Sequence, residues 1–152
     1  MEESTLKYWK DAGHVARRTL EAMKLELTPG KTFHEVIESA ERYIHRHGGK
    51  PAFPGTIAVN DLAAHFTTDH AINHVEGWDG EMILQKGDCV KIDFGVHIKG
   101  HLADNALTFE IGNGNEHTEQ IKAAKEARDA AIEMMHPGTP WYKVGQAAAQ
   151  PS

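Results

Sequence analysis

The run Cys89-Val90-Lys91-Ile92-Asp93-Phe94-Gly95-Val96-His97-Ile98-Lys99-Gly100-His101-Leu102-Ala103-Asp104-Asn105-Ala106 is the most informative in the chain. From 89 to 96 it alternates, with Val90, Ile92, Phe94 and Val96 on one side and Lys91, Asp93 and Gly95 on the other, the pattern of a half-buried strand. Lys99-Gly100 reads as a two-residue turn, and residues 101 to 111 as the returning strand of a hairpin. That turn sets the register: Ile98 faces His101, Gly95 faces Asp104 and Asp93 faces Ala106. Asp93, Gly95, Asp104 and Ala106 therefore share one face, with the two aspartates diagonal across the ladder and their Cα atoms roughly 7–8 Å apart. Gly95 and Ala106 are small and leave space above the sheet. Two crowded carboxylates need a cation or a shared proton to relieve their repulsion. Hard or borderline divalent ions suit such oxygens, and an aspartate pair can hold two of them by terminal and bridging coordination. The plainer alternative is a pair of solvent-facing aspartates, although Asp is depleted in strand interiors.

Upstream of the hairpin, Leu6, Trp9, Gly13, Ala16, Leu20, Met23 and Leu27 recur at steps of three and four, predicting a helix that ends at Pro29-Gly30. Thr32 followed three residues later by Glu35 is a capping box. It opens a second helix with an apolar face of Phe33, Val36, Ile37, Ala40 and Ile44, closed by Gly48-Gly49. The chain then turns rich in Pro and Gly, with a short β-prone piece at Ile57 to Val59. A polar stretch from about Thr67 to Gly80, containing His70, His74 and Trp78, reads as a long surface loop. Downstream, a third helix is expected from Thr118 to Met135 with Ile121, Ala124, Ala131 and Met135 inward. A short fourth helix follows, with Thr139 as cap and Pro140 at its first position. Pro29-Gly30 with Val36 seven residues after the proline is echoed by Pro137-Gly138 with Val144 seven after, a faint internal repeat.

With 152 residues, one core is the expectation. The formal charge of −6 and the lack of a basic block argue against nucleic acid as a partner. No apolar run approaches the roughly 20 residues that cross a bilayer, so no membrane partner is expected. The acidic start Met1-Glu2-Glu3 does not resemble a secretory signal, and the single cysteine, Cys89, forms no intrachain disulfide; a reduced, cytoplasmic protein is expected. Histidine is abundant, at 11 residues, which points to metal chemistry or proton transfer without locating either. His65, after the β-prone piece and before the long loop, stands where a catalytic or substrate-binding group could be presented, although a lone histidine is more often a hydrogen-bonded structural residue. The pairs His45/His47, His70/His74 and His97/His101 read as surface residues, and Cys89 as a packed side chain.

Gly49-Lys50-Pro51-Ala52-Phe53-Pro54, Asn60, Ala63-Ala64-His65-Phe66-Thr67, Gly87-Asp88 with the run to Ile98, Gly100, Ala103-Asp104, Ala106 and Thr108 closely resemble type II methionine aminopeptidase in its archaeal and eukaryotic form. The Ala-Ala-His-Phe-Thr run looks like type II rather than type I, and the stretch from Phe53-Pro54 to His65 argues against prolidase. The resemblance implies an α+β pita-bread fold of two halves related by an approximate two-fold. Residues 1–152 would be its N-terminal half, two helices and a hairpin sheet, plus the first two helices of the second half.

It further implies a metallopeptidase that removes the initiator methionine from nascent proteins with two divalent ions (Co, Mn, Fe or Zn). Asp93 would bind one ion and Asp104 both; His65 would contact the substrate near the scissile bond and Phe53 would line the methionine pocket. The remaining family ligands, one His and two Glu, belong to the second half, so weak metal binding and an inactive isolated chain are expected, with a separate C-terminal half as a possible partner. A non-catalytic pita-bread module that binds peptides or proteins is the alternative. Thr68 stands where the family usually has Pro, and the loop from there to Leu84 is longer than usual.

Overall fold

The computed structural model describes residues 3–68, 82–112 and 115–149. His70, His74 and Trp78 of the expected surface loop lie outside them. The chain divides into two compact units, Met1–Gly114 and Asn115–Ser152.

In the first unit, helix α1 (Glu3–Glu26) lies across the hairpin and buries Ala12, Val15, Ala16, Thr19, Leu20 and Met23, with Leu27 just beyond its end. The predicted stripe is corrected at its start, because Leu6 and Trp9 are each 43% exposed and Gly13 is only half-buried. The first turns overhang the end of the sheet, where Tyr8 and Trp9 meet the His101 ring at 5.4 and 5.3 Å instead of entering the core. Thr19, fully buried, satisfies its hydroxyl by donating to the Val15 carbonyl at 2.8 Å, which lets a polar residue sit on the apolar face.

Helix α2 (Phe33–Arg46) buries the five residues expected of it. Its capping box is formed: the Glu35 N–H donates to Thr32 Oγ1 at 3.1 Å, and the Thr32 N–H donates to Glu35 Oε2 at 2.8 Å. The bond from the Thr32 backbone, followed by that from its hydroxyl, holds the Glu35 carboxyl below the usual glutamate range. A lowered carboxyl pKa means that this contribution is present above the ordinary glutamate pKa and is lost as pH falls through the lowered one. Thr32→Ala should cost about 1 kcal/mol, read as a lower urea midpoint at unchanged m-value. A change indistinguishable from zero would mean that α2 is held by packing alone.

Four antiparallel strands follow: β1 (Lys50–Pro51), β2 (Thr56–Val59), β3 (Cys89–Ile98) and β4 (His101–Glu110). The hairpin has the register derived above, including Gly95 opposite Asp104 and Asp93 opposite Ala106. Lys99 at φ 49° and Gly100 at φ 81° make the tight turn that the strand twist favours. Since β4 takes one whole edge of β3, β1 and β2 share the other. Pro51 pairs with Val96 and Thr56 with Asp93, so residues 52–55 stand against Phe94 and Gly95 alone and the chain bulges outward. Val90, Ile92, Phe94 and Val96 join the helices in one core. Thr67 and Thr68, expected on the surface, are buried, with Thr68 Oγ1 3.3 Å from His34 Nδ1. Their backbone follows Phe66, whose ring packs edge-on against Phe33 and draws the segment inward.

The second unit holds α3 (Thr118–Met134) and α4 (Trp141–Ala149). The Pro-Gly echo is repeated in geometry. The Lys31 N–H donates to the Thr28 carbonyl across Pro29-Gly30, and the Thr139 N–H to the His136 carbonyl across Pro137-Gly138, with both glycines near φ 90°. Val36 and Val144 are both buried. The inward face expected of α3 is found only in part: Ile121 and Ala131 are half-buried, Ala124 and Met135 are exposed, and no residue of the helix is fully buried. Two helices alone offer too little surface to bury an apolar stripe.

Candidate functional site

The face of the hairpin turned away from the core carries Asp93, Gly95, Asp104 and Ala106. Asp93 Oδ1 is buried without a hydrogen-bond partner. Burial pushes the Asp93 carboxyl above the usual aspartate range, the neighbouring Asp104 carboxylate pushes the same way, and His65 pulls it back. An unbonded carboxylate oxygen facing a second carboxylate is costly in a neutral setting and fits a divalent cation. Among the described residues no cluster of three or more ligating side chains forms, so the pair by itself would leave most of a cation's coordination to other donors.

The bulge supplies the wall of this site. A Cβ on Gly95 would lie 2.3 Å from Phe53 Cε1, so the Phe53 ring lies directly over Gly95, beside the aspartates. On the core side, a Cβ on Gly55 would lie 2.5 Å from Phe94 Cε1, which seats the far end of the bulge. Both positions need the absence of a side chain. Asp93, Asp104 and the Phe53 ring thus lie on one face of the sheet. His65, exposed and at φ 62°, directly precedes Phe66, whose carbonyl accepts from the Ile57 N–H of β2 next to the Thr56 position that faces Asp93.

Of the remaining candidates among the described residues, His97 lies on the same face of β3 as Asp93 and Gly95 and accepts from the Gly100 N–H at 3.3 Å. His47 stacks on Tyr43 at 4.0 Å, and His101 is held between Tyr8 and Trp9. Cys89 is half-buried and bonded through its backbone to Asn60. Sequence reasoning assigned no role to Asn60 or Gly55. Asparagine's tolerance of the left-handed backbone was a usable signal for the first, whereas the second depends on a long-range contact with Phe94 that no local pattern reveals.

A carboxylate-bearing hairpin backed by two helices, repeated in part by a second helix pair, is the architecture of a known class of metal-dependent peptidases. The chain belongs to metallopeptidase family M24, whose model matches residues 7–151. It is 36% identical over 136 residues to methionine aminopeptidase of Thermococcus onnurineus, covering 90% of this chain and 43% of that one. To methionine aminopeptidase of Archaeoglobus fulgidus it is 35% identical over 147 residues, covering 97% and 47%. The chain therefore spans less than half the length of these relatives. The solved methionine aminopeptidase of Rickettsia prowazekii superposes with a TM-score of 0.82 at 22% identity, over 97% of this chain and 59% of that one, which shows the shared pita-bread fold.

Proposed function

We propose that this chain carries part of the active site of a two-metal aminopeptidase that removes N-terminal methionine from nascent proteins in the cytosol. The observation that carries this is the buried, unbonded Asp93 Oδ1 beside Asp104, in a chain that is similar to methionine aminopeptidases along nearly its whole length. Asp93 and Asp104 would hold the ions, Asp104 contributing to both. Two divalent ions, of Co, Mn, Fe or Zn, would supply Lewis acidity and an activated water for cleavage of the first peptide bond. His65, presented on an exposed turn next to the pair, would orient the substrate at the scissile bond. The half-buried Phe53 ring would form an apolar wall for the methionine thioether, a contact that aromatic rings favour.

Two carboxylates leave most of an ion's coordination to water, so the full activity would need further donors, and a separate C-terminal half is a natural source. The 152-residue chain alone should bind Mn²⁺ or Co²⁺ weakly and release no measurable methionine from a Met-Gly peptide. Titration calorimetry and a methionine-release assay check both statements. Robust turnover by the purified chain, free of contaminating peptidase, would overturn the need for further ligands. A metal affinity unchanged in Asp93→Asn would overturn the site itself.

A further inference from the structure

Residues 60–66 form a loop whose two ends are fastened and whose tip is exposed. At the outgoing end, Asn60 uses all of its hydrogen-bonding groups. Its N–H donates to the Cys89 carbonyl at 2.9 Å, and its Oδ1 accepts from the Cys89 N–H at 2.9 Å. Its Nδ2 donates to Asp88 Oδ1 at 3.0 Å, and its carbonyl accepts from Lys91 Nζ at 3.1 Å. At the returning end, the Ile57 N–H donates to the Phe66 carbonyl at 2.8 Å. Between these ends, Leu62, Ala63, Ala64 and His65 are exposed, so the position of His65 follows from where the ends are pinned.

We propose that Asn60 is a positioning residue that holds His65 near Asp93 by locking the loop to the first residue of β3. This deepens the peptidase reading, on which the purpose of the arrangement rests. Asn60 lies at φ 52°, a backbone region that asparagine and glycine accept at little cost. Glycine would provide the backbone but none of the side-chain bonds. Aspartate would keep the acceptor for Cys89 but lose the donor, and would set a second negative charge against Asp88. Asparagine alone meets all the requirements. The locking point is the start of the strand that bears Asp93 four residues on, so the loop and the carboxylate pair share one rigid element.

The test needs neither metal nor turnover, so its failure is separable from failure of the peptidase reading. The His65 ring resonances are assigned by their loss in His65→Gln, and their chemical-shift change on Asp93→Asn is measured in the otherwise unaltered chain and again with Asn60→Gly. Asn60→Gly is expected to lose at least about half of that response and to shift the Cys89 amide, which loses its bond to Asn60 Oδ1, while the amide shifts from Ile92 to Ile98 stay close to those of the parent. Asn60→Asp should recover part of it. Should Asn60→Gly not fold, Asp88→Ala removes one of the anchoring bonds with Asn60 in place, and a smaller loss is expected. An undiminished response in the folded variants overturns the proposal, as does a His65 ring that does not respond to Asp93→Asn in the parent chain.

Discussion

Phe94→Ala should destabilise the first unit by about 3–5 kcal/mol, the range for truncating a fully buried aromatic side chain. Phe94 is 1% exposed, lies in the middle of β3 and is the largest of the fully buried side chains among the described residues. Its ring also closes on Gly55, so the truncation opens a cavity beneath the bulge that carries Phe53. Against a typical domain stability of roughly 5–15 kcal/mol, such a loss removes a large fraction of the folded population. A urea midpoint that falls at constant m-value is the measurement. The control is Leu25→Ala, at a residue 80% exposed, which should change stability by no more than about 0.5 kcal/mol. A loss at Phe94 below about 1.5 kcal/mol would mean that the site collapses around the cavity and that β3 is not the keystone of this core.

What could be read from the residues divides along a physical line. The hairpin register was legible because side chains alternate strictly and a Lys-Gly pair leaves one economical turn, so the facing of Gly95 and Asp104 followed by counting. Helix α2 was legible because its cap and its apolar face are both local. Where local pattern and tertiary context disagree, context wins. Leu6 and Trp9 continue a helical stripe but reach only the end of the sheet at His101, and the apolar positions of α3 are at most half-covered. The site shows the same division. Asp93 and Asp104 came from register, whereas the placement of His65 depends on two left-handed residues, Asn60 and His65, and on bonds to residues 28 or more positions away. The bulge that lays Phe53 over Gly95 is likewise a count of residues on one strand against its partner, which needs both strands in hand.

The largest functional effects are expected from His65→Ala and Asp104→Asn, and the two should fail in different ways. Both are measured in this chain fused to the part of the Archaeoglobus fulgidus methionine aminopeptidase that it does not match. Asp104→Asn is nearly isosteric and removes one negative charge from the pair. It also removes one of the influences that raise the Asp93 carboxyl, so the metal-free protein should fold at least as well as the parent. Metal affinity should fall by at least about 10–100-fold, the loss already seen when a group merely supporting a ligand is removed, and turnover should fall with it. His65 is exposed and sits on a loop rather than on the carboxylate face, so His65→Ala should leave metal content nearly unchanged. It should lower kcat by roughly 10²–10⁴-fold, the range for a lost acid, base or orienting group. The discriminating quantity is metal bound per protein at equal concentration, determined on the same samples whose kcat is measured. Metal lost from His65→Ala but kept by an active Asp104→Asn would reverse the assignment. It would place the histidine on the ions and leave the aspartate as a bystander of the strand.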